Sequence, residues 1–232
     1  MMLYQLCVNE FAKVLRRKGI YLFLVAVVGL YGIIGIGIRI AIASGETDMY
    51  LKYGVEAMTG NVFPLIIVTE LAGTIAPLFA LFLSGLLVTS ELADGTVKLS
   101  LLRPVRRVSF VAAKFVALAG LVGVFLAVSF GASLVIGMAF FGWAGELVFL
   151  GATLGWAEGA LMVIATYALA ALPAVGFGAV ALLIAFNTRT VAGALGIGLG
   201  VYAALSLGGS LVEAIRPFLV TSYGSLALGI YP

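Results

Sequence analysis

Residues 80–120 of the chain read ALFLSGLLVTSELADGTVKLSLLRPVRRVSFVAAKFVALAG. In this stretch a polar and basic segment lies between two apolar runs, and both runs continue well beyond the quoted residues. A transmembrane helix needs about 20 mostly apolar residues, so each run is long enough to cross a bilayer. The segment between them is therefore predicted to be a loop that joins two membrane spans.

The composition of the whole chain indicates a membrane protein. Of its 232 residues, 63% are hydrophobic and 10% are charged, and the mean hydropathy is +1.24. A soluble domain could not cover so much apolar surface. Short segments of alternating apolar and polar residues, typical of a membrane β-barrel, are not found in the sequence. The sequence therefore predicts an all-α, polytopic membrane helix bundle.

Apolar runs long enough to span a membrane occur five times, and they divide the chain into loops and ends. The predicted spans cover residues 19–42, 62–90, 110–142, 156–186 and 191–212. Residues 1–18 precede them, residues 91–109 form the loop described above, and residues 213–232 form a tail. We expect one transmembrane domain over residues 1–232, without a soluble appendage.

The residues before the first span predict an amphipathic helix that lies in the membrane interface. Leu3, Cys7, Phe11 and Val14 recur at helical spacing and form an apolar stripe. Such a stripe can enter the acyl boundary while the basic end of the helix meets anionic headgroups. Alternatively, the basic residues at this end only fix the orientation of the chain.

Lysine and arginine residues are distributed unevenly between the two sides of this arrangement, and short loops that are rich in them remain in the cytoplasm. One side holds ten of the thirteen: Lys13, Arg16, Arg17, Lys18, Lys98, Arg103, Arg106, Arg107, Lys114 and Arg189. We therefore predict a multi-pass protein of the cell membrane with a cytoplasmic amino terminus.

The loop of residues 91–109 contains acidic residues, a glycine and a cluster of basic residues, which is more than a simple turn between two spans needs. Glu91 and Asp94 follow the end of a span, where the helix dipole disfavours negative charge, which suggests that they have a partner. Gly95 allows a sharp reversal, and Thr96 can cap a short helix after it. Pro104 disfavours helix at the residue before it. These features predict a helix, a turn, a short helix and a kink.

This pattern resembles the loop after the second span of type-2 ABC transporter permeases, the ABC-2 family. The matching residues are Glu91, Gly95, Thr96, Leu101, Leu102, Pro104, Val105, Arg107 and Lys114. In that family the loop and its short helix dock into a groove of a separate ATP-hydrolysing subunit. The resemblance implies that this chain is the permease subunit of an ATP-binding cassette exporter, without an ATPase of its own.

Further expectations follow from the resemblance. It implies two partners within the membrane complex: an ABC ATPase (nucleotide-binding) subunit, which would hold ATP and Mg, and a second permease copy, identical or different. It assigns coupling and docking roles to Glu91, Asp94, Gly95, Thr96, Leu102, Pro104, Arg107 and Lys114. The family has six spans, so the chain is either truncated before a sixth span or ends in a re-entrant or external tail.

Polar residues elsewhere give weaker candidates. Glu70 falls within the second predicted span, where a carboxylate costs roughly 2.5 to 3.5 kcal/mol, so it either lines a substrate pathway or subunit contact or lies near the outer headgroups. Asn187 and Arg189 belong to a second cytoplasmic turn, which either contacts the ATPase or only caps the next helix. Both sites remain open at the level of sequence.

The sequence gives no sign of an enzyme. It has no histidine, one cysteine and no clustered carboxylates, so we expect no metal site, no bound cofactor and no nucleophile–base pair. It has no phosphate-binding loop, and its basic residues are explained by loops rather than by nucleic acid. The alternative function is a secondary transporter or channel driven by an ion gradient, a class that places several polar groups near the bilayer centre.

Overall fold

Long apolar stretches of the sequence form long helices. The computed structural model describes residues 2–45, 58–89, 107–149 and 152–211. The helices are α1 (Met2–Leu15), α2 (Lys18–Ala43), α3 (Phe63–Glu70), α4 (Ala76–Ser84), α5 (Arg107–Phe141), α6 (Trp156–Asn187) and α7 (Val191–Leu211). Two π-helical segments, Leu71–Ile75 and Gly85–Thr89, follow α3 and α4 respectively.

Within the described residues, four helices are long and apolar enough to cross a membrane. They cover Lys18–Ala43, Val108–Phe141, Trp156–Asn187 and Val191–Gly208. The helices α2, α5, α6 and α7 begin and end within three residues of four predicted spans. Helix α5 begins at Arg107 and so includes residues 107–109, which were predicted to belong to the loop.

The second predicted span is helical but is not a single α-helix. Residues 63–89 form a continuous helical run in which α3 and α4 alternate with the two π-helical segments. Pro77, near the start of α4, explains the first change. Proline lacks a backbone donor and its ring crowds the carbonyl four residues earlier, which here lies in the Leu71–Ile75 segment. A π-helical turn relieves that crowding, and such turns are frequent at functional sites.

The prediction of an all-α fold is confirmed for nearly all of the described residues, and the exception is the connection between α5 and α6. Strands β1 (Glu146–Phe149) and β2 (Ala152–Gly155) pair antiparallel there, with Glu146 opposite Gly155 and Phe149 opposite Ala152. The sequence of β1, ELVF, contains the branched and aromatic residues that favour strands. Hydropathy does not distinguish such a short apolar strand from the long apolar span next to it.

The helical run of residues 63–89 forms the centre of the fold. A stack of phenylalanines joins it to two neighbouring helices. The Phe79 ring lies 4.2 Å from that of Phe125 in α5 and 5.1 Å from that of Phe23 in α2, measured between centroids. On another face, Ser84 Oγ donates a hydrogen bond of 3.4 Å to the carbonyl of Gly178 in α6. The run is thus held on several sides by protein.

Helix α1 packs against the protein more than its apolar stripe suggested. Val14 is buried, and the ring of Phe11 lies over Gly120 of α5, where an added Cβ would meet it. Part of the stripe that was expected to face lipid therefore contacts α5. Glu10, one turn before Val14 on the same face, is buried with them.

Candidate functional site

Most residues of the predicted coupling loop lie outside the described part of the chain. These are Glu91, Asp94, Gly95, Thr96, Leu102 and Pro104. Arg107 is the first residue of α5, and Lys114 lies two turns further along that helix. The described structure therefore shows what the 90–106 segment is attached to: the end of the 63–89 run and the start of α5.

Lys114 is a buried cation at this point of attachment. Its side chain is 1% exposed, and its Nζ lies 2.9 Å from Glu10 Oε2 of α1. The ammonium also donates a hydrogen bond to the carbonyl oxygen of Leu87 in the second π-helical segment. The ring of Phe110, one turn earlier in α5, has its centroid 4.8 Å from the same Nζ. A single ammonium group thus joins α1, α5 and the 63–89 run.

Glu10 is the anion at the centre of this arrangement, and it binds two lysines. Its Oε1 accepts a hydrogen bond of 2.8 Å from Lys13 Nζ, three residues along α1. The Glu10 side chain is 7% exposed whereas that of Lys13 is 51% exposed. We call Glu10, Lys13, Lys114 and the Leu87 carbonyl the Glu10–Lys114 cluster.

Local structure explains why these groups meet. In α1, residues 10, 11 and 14 share one face, so the packing of Phe11 and Val14 on the bundle brings Glu10 to α5. A hydrogen bond from a cation to a carbonyl is stronger than one between two neutral groups. The Leu87 carbonyl lies near the end of its helical segment and receives Lys114 as its donor.

The energetics of the cluster depend on both charges being present. Desolvation makes a buried ion pair a weak source of stability, but removing one partner leaves an uncompensated buried charge and typically costs about 3 to 5 kcal/mol. The Lys114–Glu10 pair is of this kind, because both side chains are buried. The cluster therefore fixes three elements relative to one another at the two ends of the 90–106 segment.

Sequence reasoning selected Lys114 but as a docking residue, and it missed Glu10. The structure shows the Lys114 side chain buried inside the chain, in contact with other elements of the same protein. Glu10 is separated from Lys114 by 104 positions in sequence, so no local spacing relates them. The available signal was the acidic residue on the apolar face of an otherwise basic helix.

The turn between α6 and α7, which was predicted to be a second cytoplasmic turn, caps the helices on either side of it. Asn187 ends α6, where its Nδ2 donates a 2.8 Å hydrogen bond to the Leu183 carbonyl. Thr190 Oγ1 accepts a 3.1 Å hydrogen bond from the Gly193 backbone N–H at the start of α7. Arg189 lies between them and is exposed. This geometry accounts for the polar residues by capping, and it leaves Arg189 accessible.

Glu70 ends α3, immediately before the first π-helical segment, and its side chain lies outside the described part. A different polar group occupies the interior. Tyr167 OH of α6 lies 3.1 Å from Ser133 Oγ of α5 and donates a 3.3 Å hydrogen bond to the Pro64 carbonyl. In the described ranges, no three residues among His, Cys, Asp and Glu group as metal ligands.

At the opposite end of the bundle, the residues just before the 63–89 run contact α5 and the residues that follow it without charge. The Gly60 N–H donates a 2.9 Å hydrogen bond to the Gly142 carbonyl, and Asn61 Nδ2 donates to the Ala144 carbonyl. A Cβ on Gly137 would lie 2.6 Å from the Gly60 carbonyl oxygen. We call this approach of two backbones the Gly60–Gly137 contact.

The chain belongs to the family described as "Protein of unknown function (DUF2705)", which matches residues 22–224. The match includes α2 from residue 22 onward, α3 to α7 and the 90–106 segment, and therefore Leu87 and Lys114. Helix α1, with Glu10, precedes the matched residues. No curated protein matches the chain.

Proposed function

We propose that this member of the DUF2705 family is the membrane-spanning permease subunit of an ATP-driven exporter whose ATPase is a separate subunit. The observation that carries the proposal is the Glu10–Lys114 cluster. It ties α1, α5 and the 63–89 run together where the 90–106 segment begins and ends. A partner that moved this segment would move three elements as one body.

The proposed mechanism converts movement of an ATPase into movement of membrane helices. The 90–106 segment would bind the ATPase through Glu91, Asp94 and the Gly95–Thr96 turn. Closure of the ATPase would then shift the segment, and the cluster would pass this shift to the helices at its base. Small shifts at one site can become larger movements because packed interfaces change between discrete arrangements and do not deform continuously. Lys114, which is buried, would act as a positioning residue in this scheme.

The proposed topology has five spans, with the 63–89 run as the second. In favour of this count, the run is apolar, packs against α2, α5 and α6, and contains 27 residues, which at about 1.5 Å per residue is long enough to cross a bilayer. We further propose that α1 lies at the cytoplasmic membrane surface, because Lys13 and Arg16 are exposed beside its packed face. The amino terminus would then be cytoplasmic, in the cell membrane.

A transporter or channel driven by an ion gradient is the second candidate. The observation that favours it is the buried hydrogen-bonded group of Ser133, Tyr167 and the Pro64 carbonyl, within the helices proposed to span the membrane. Polar groups at this depth are a property of such proteins. These groups are two hydroxyls and a backbone carbonyl, all uncharged, which makes them poor carriers of an ion or a proton.

The experiment is purification of the full chain from its native membranes, followed by identification of the proteins that remain bound. We expect an ATPase with a phosphate-binding loop in equimolar amount. Glu91→Ala should remove it, whereas Arg16→Ala, a charge change at an exposed residue outside the segment, should retain it. A preparation that contains the intact chain without any ATPase would contradict the proposal and favour the second candidate.

A further inference from the structure

A cavity of about 220 Å³ opens at the end of the bundle opposite the 90–106 segment. It lies between α5 and α6, which supply apolar residues that include Phe130, Met138 and Val163. Phe130 and Met138 are eight residues apart on α5, so the cavity extends roughly 12 Å along the helix axis. At roughly 30 Å³ per water, its volume corresponds to about seven waters, which suits a single hydrocarbon chain.

The two tryptophans and the asparagine that line this cavity lie at the same end of it. Trp143 follows α5 and Trp156 begins α6, and both are more than half exposed. Tryptophan at the ends of two membrane helices indicates the depth of the lipid headgroups. Asn61 lines the cavity at this end, because its amide binds the carbonyl of Ala144, next to Trp143. The cavity therefore runs from headgroup depth toward the hydrocarbon.

Asn61 brings a hydrogen-bond acceptor to this site that the described residues leave unused. The side chain is nine-tenths buried, and its Nδ2 is engaged by Ala144. Its Oδ1 is buried and accepts no hydrogen bond from the described part of the chain. An unsatisfied buried acceptor is unfavourable, so a ligand that donates a hydrogen bond here gains affinity.

We infer that this cavity binds a membrane amphiphile that inserts one hydrocarbon chain between α5 and α6 and donates a hydrogen bond from its headgroup to Asn61 Oδ1. The order of polar and apolar residues along the cavity matches such a molecule. The hydrogen-bond acceptor lies at headgroup depth, and the apolar lining lies deeper in the membrane. The site does not depend on the ATP-driven mechanism, since it is built from the opposite end of the bundle.

The chain itself provides the reporter for a binding experiment. It contains two tryptophans, and both line the cavity. The full chain would be placed in phosphatidylcholine nanodiscs and titrated with a monoacylglycerol that carries bromine on its chain, which quenches tryptophan fluorescence on contact. We expect quenching that saturates. The dimethyl ether of the same probe, which cannot donate, should bind about five- to tenfold more weakly, as the loss of one hydrogen bond implies.

Two variants of α6 test the location. Ala160 lines the cavity, so Ala160→Leu should fill it and abolish saturable quenching. Ala157 is exposed on the same helix and does not line the cavity, so Ala157→Leu should leave binding unchanged. Brominated phosphatidylcholine serves as a non-specific control. The inference is overturned if quenching by the monoacylglycerol rises linearly, without saturation, and equals quenching by brominated phosphatidylcholine in the unaltered chain and in both variants. Equal affinities for the probe and its dimethyl ether would also overturn it.

Discussion

The two ends of the α5 helix are joined to the 63–89 run, or to the residues just before it, by opposite kinds of interaction. Near the 90–106 segment, the link is a buried ion pair, with Lys114 bound to Glu10 and to the Leu87 carbonyl. At the other end, the link is the Gly60–Gly137 contact, in which two backbones touch without charge. The first link depends on two charged side chains that compensate each other. The second depends on the close fit of two backbone segments.

This difference predicts how each end responds to change. A buried charge pair fails as soon as one partner is lost, but it tolerates loss of both. A contact between backbones tolerates no added atom, because backbone cannot move aside as a side chain can. The charged end is therefore the one that a bound partner could switch, and the glycine end is the one that holds helices in fixed register.

The largest expected effect is at the charged end. Lys114→Met should lower the free energy of unfolding by about 3 to 5 kcal/mol, because Glu10 would remain buried with its charge only partly compensated. Titration of the purified chain with a denaturing detergent, followed by circular dichroism, measures the loss. Lys13→Met is the matched control, since it removes the half-exposed partner of the same carboxylate and should cost at most about 1 kcal/mol.

The double variant Glu10→Gln/Lys114→Met completes this test. Because it removes both charges, it should recover most of the stability that Lys114→Met loses. Equal effects of Lys114→Met and Lys13→Met, or a double variant that is less stable than either single one, would show that the ion pair does not join the three elements.

An intermediate effect is expected at the glycine end. Gly137→Ala places a Cβ 2.6 Å from the Gly60 carbonyl oxygen and 2.9 Å from Phe63 Cβ, so it should cost about 1 to 3 kcal/mol in the same titration. Gly131→Ala, on the same helix, meets nothing within 4 Å and should leave stability unchanged or slightly higher. If both variants were equally stable, the close contact would not contribute to the fold.

The smallest effect is expected for the same substitution at the charged end. Gly120→Ala adds a Cβ that meets the far end of the Phe11 ring, which belongs to a side chain that can move. We expect a loss of less than about 1 kcal/mol, well below that of Gly137→Ala. Thermal unfolding of the two variants side by side measures the difference. A larger loss for Gly120→Ala would reverse the proposed contrast between the two ends.

Local pattern predicted the positions of most helices but not their interruptions. The bounds of α2 and α6 were predicted closely because the length of an apolar run is itself the requirement for a membrane helix. The π-helical segments were not predicted, because apolar content is the same in both kinds of helix. The β-hairpin between α5 and α6 was missed because its short strands merge with the neighbouring apolar run.

Only one of the two buried charged residues of the candidate site, Lys114, was selected from the sequence, and Glu10 was missed. Lys114 was selected because it matches the loop pattern of ABC-2 permeases, which is a local feature of the sequence. Its role as a buried ion-pair partner depends on α1 packing across α5, and that packing relates residues 104 positions apart. The cavity beside Asn61 likewise combines residues from α5, α6 and the segment before α3, none of which are close in sequence.

The sequence by itself determined that this protein is built from long apolar helices, and it placed the polar segment between two of them. Composition and run length are sufficient for that, because the requirement for burying apolar surface applies to each segment separately. Only the tertiary structure decided which polar groups are buried and which groups they contact. Glu10 and Lys114 are buried because they compensate each other, and that condition is met only once three helices come together.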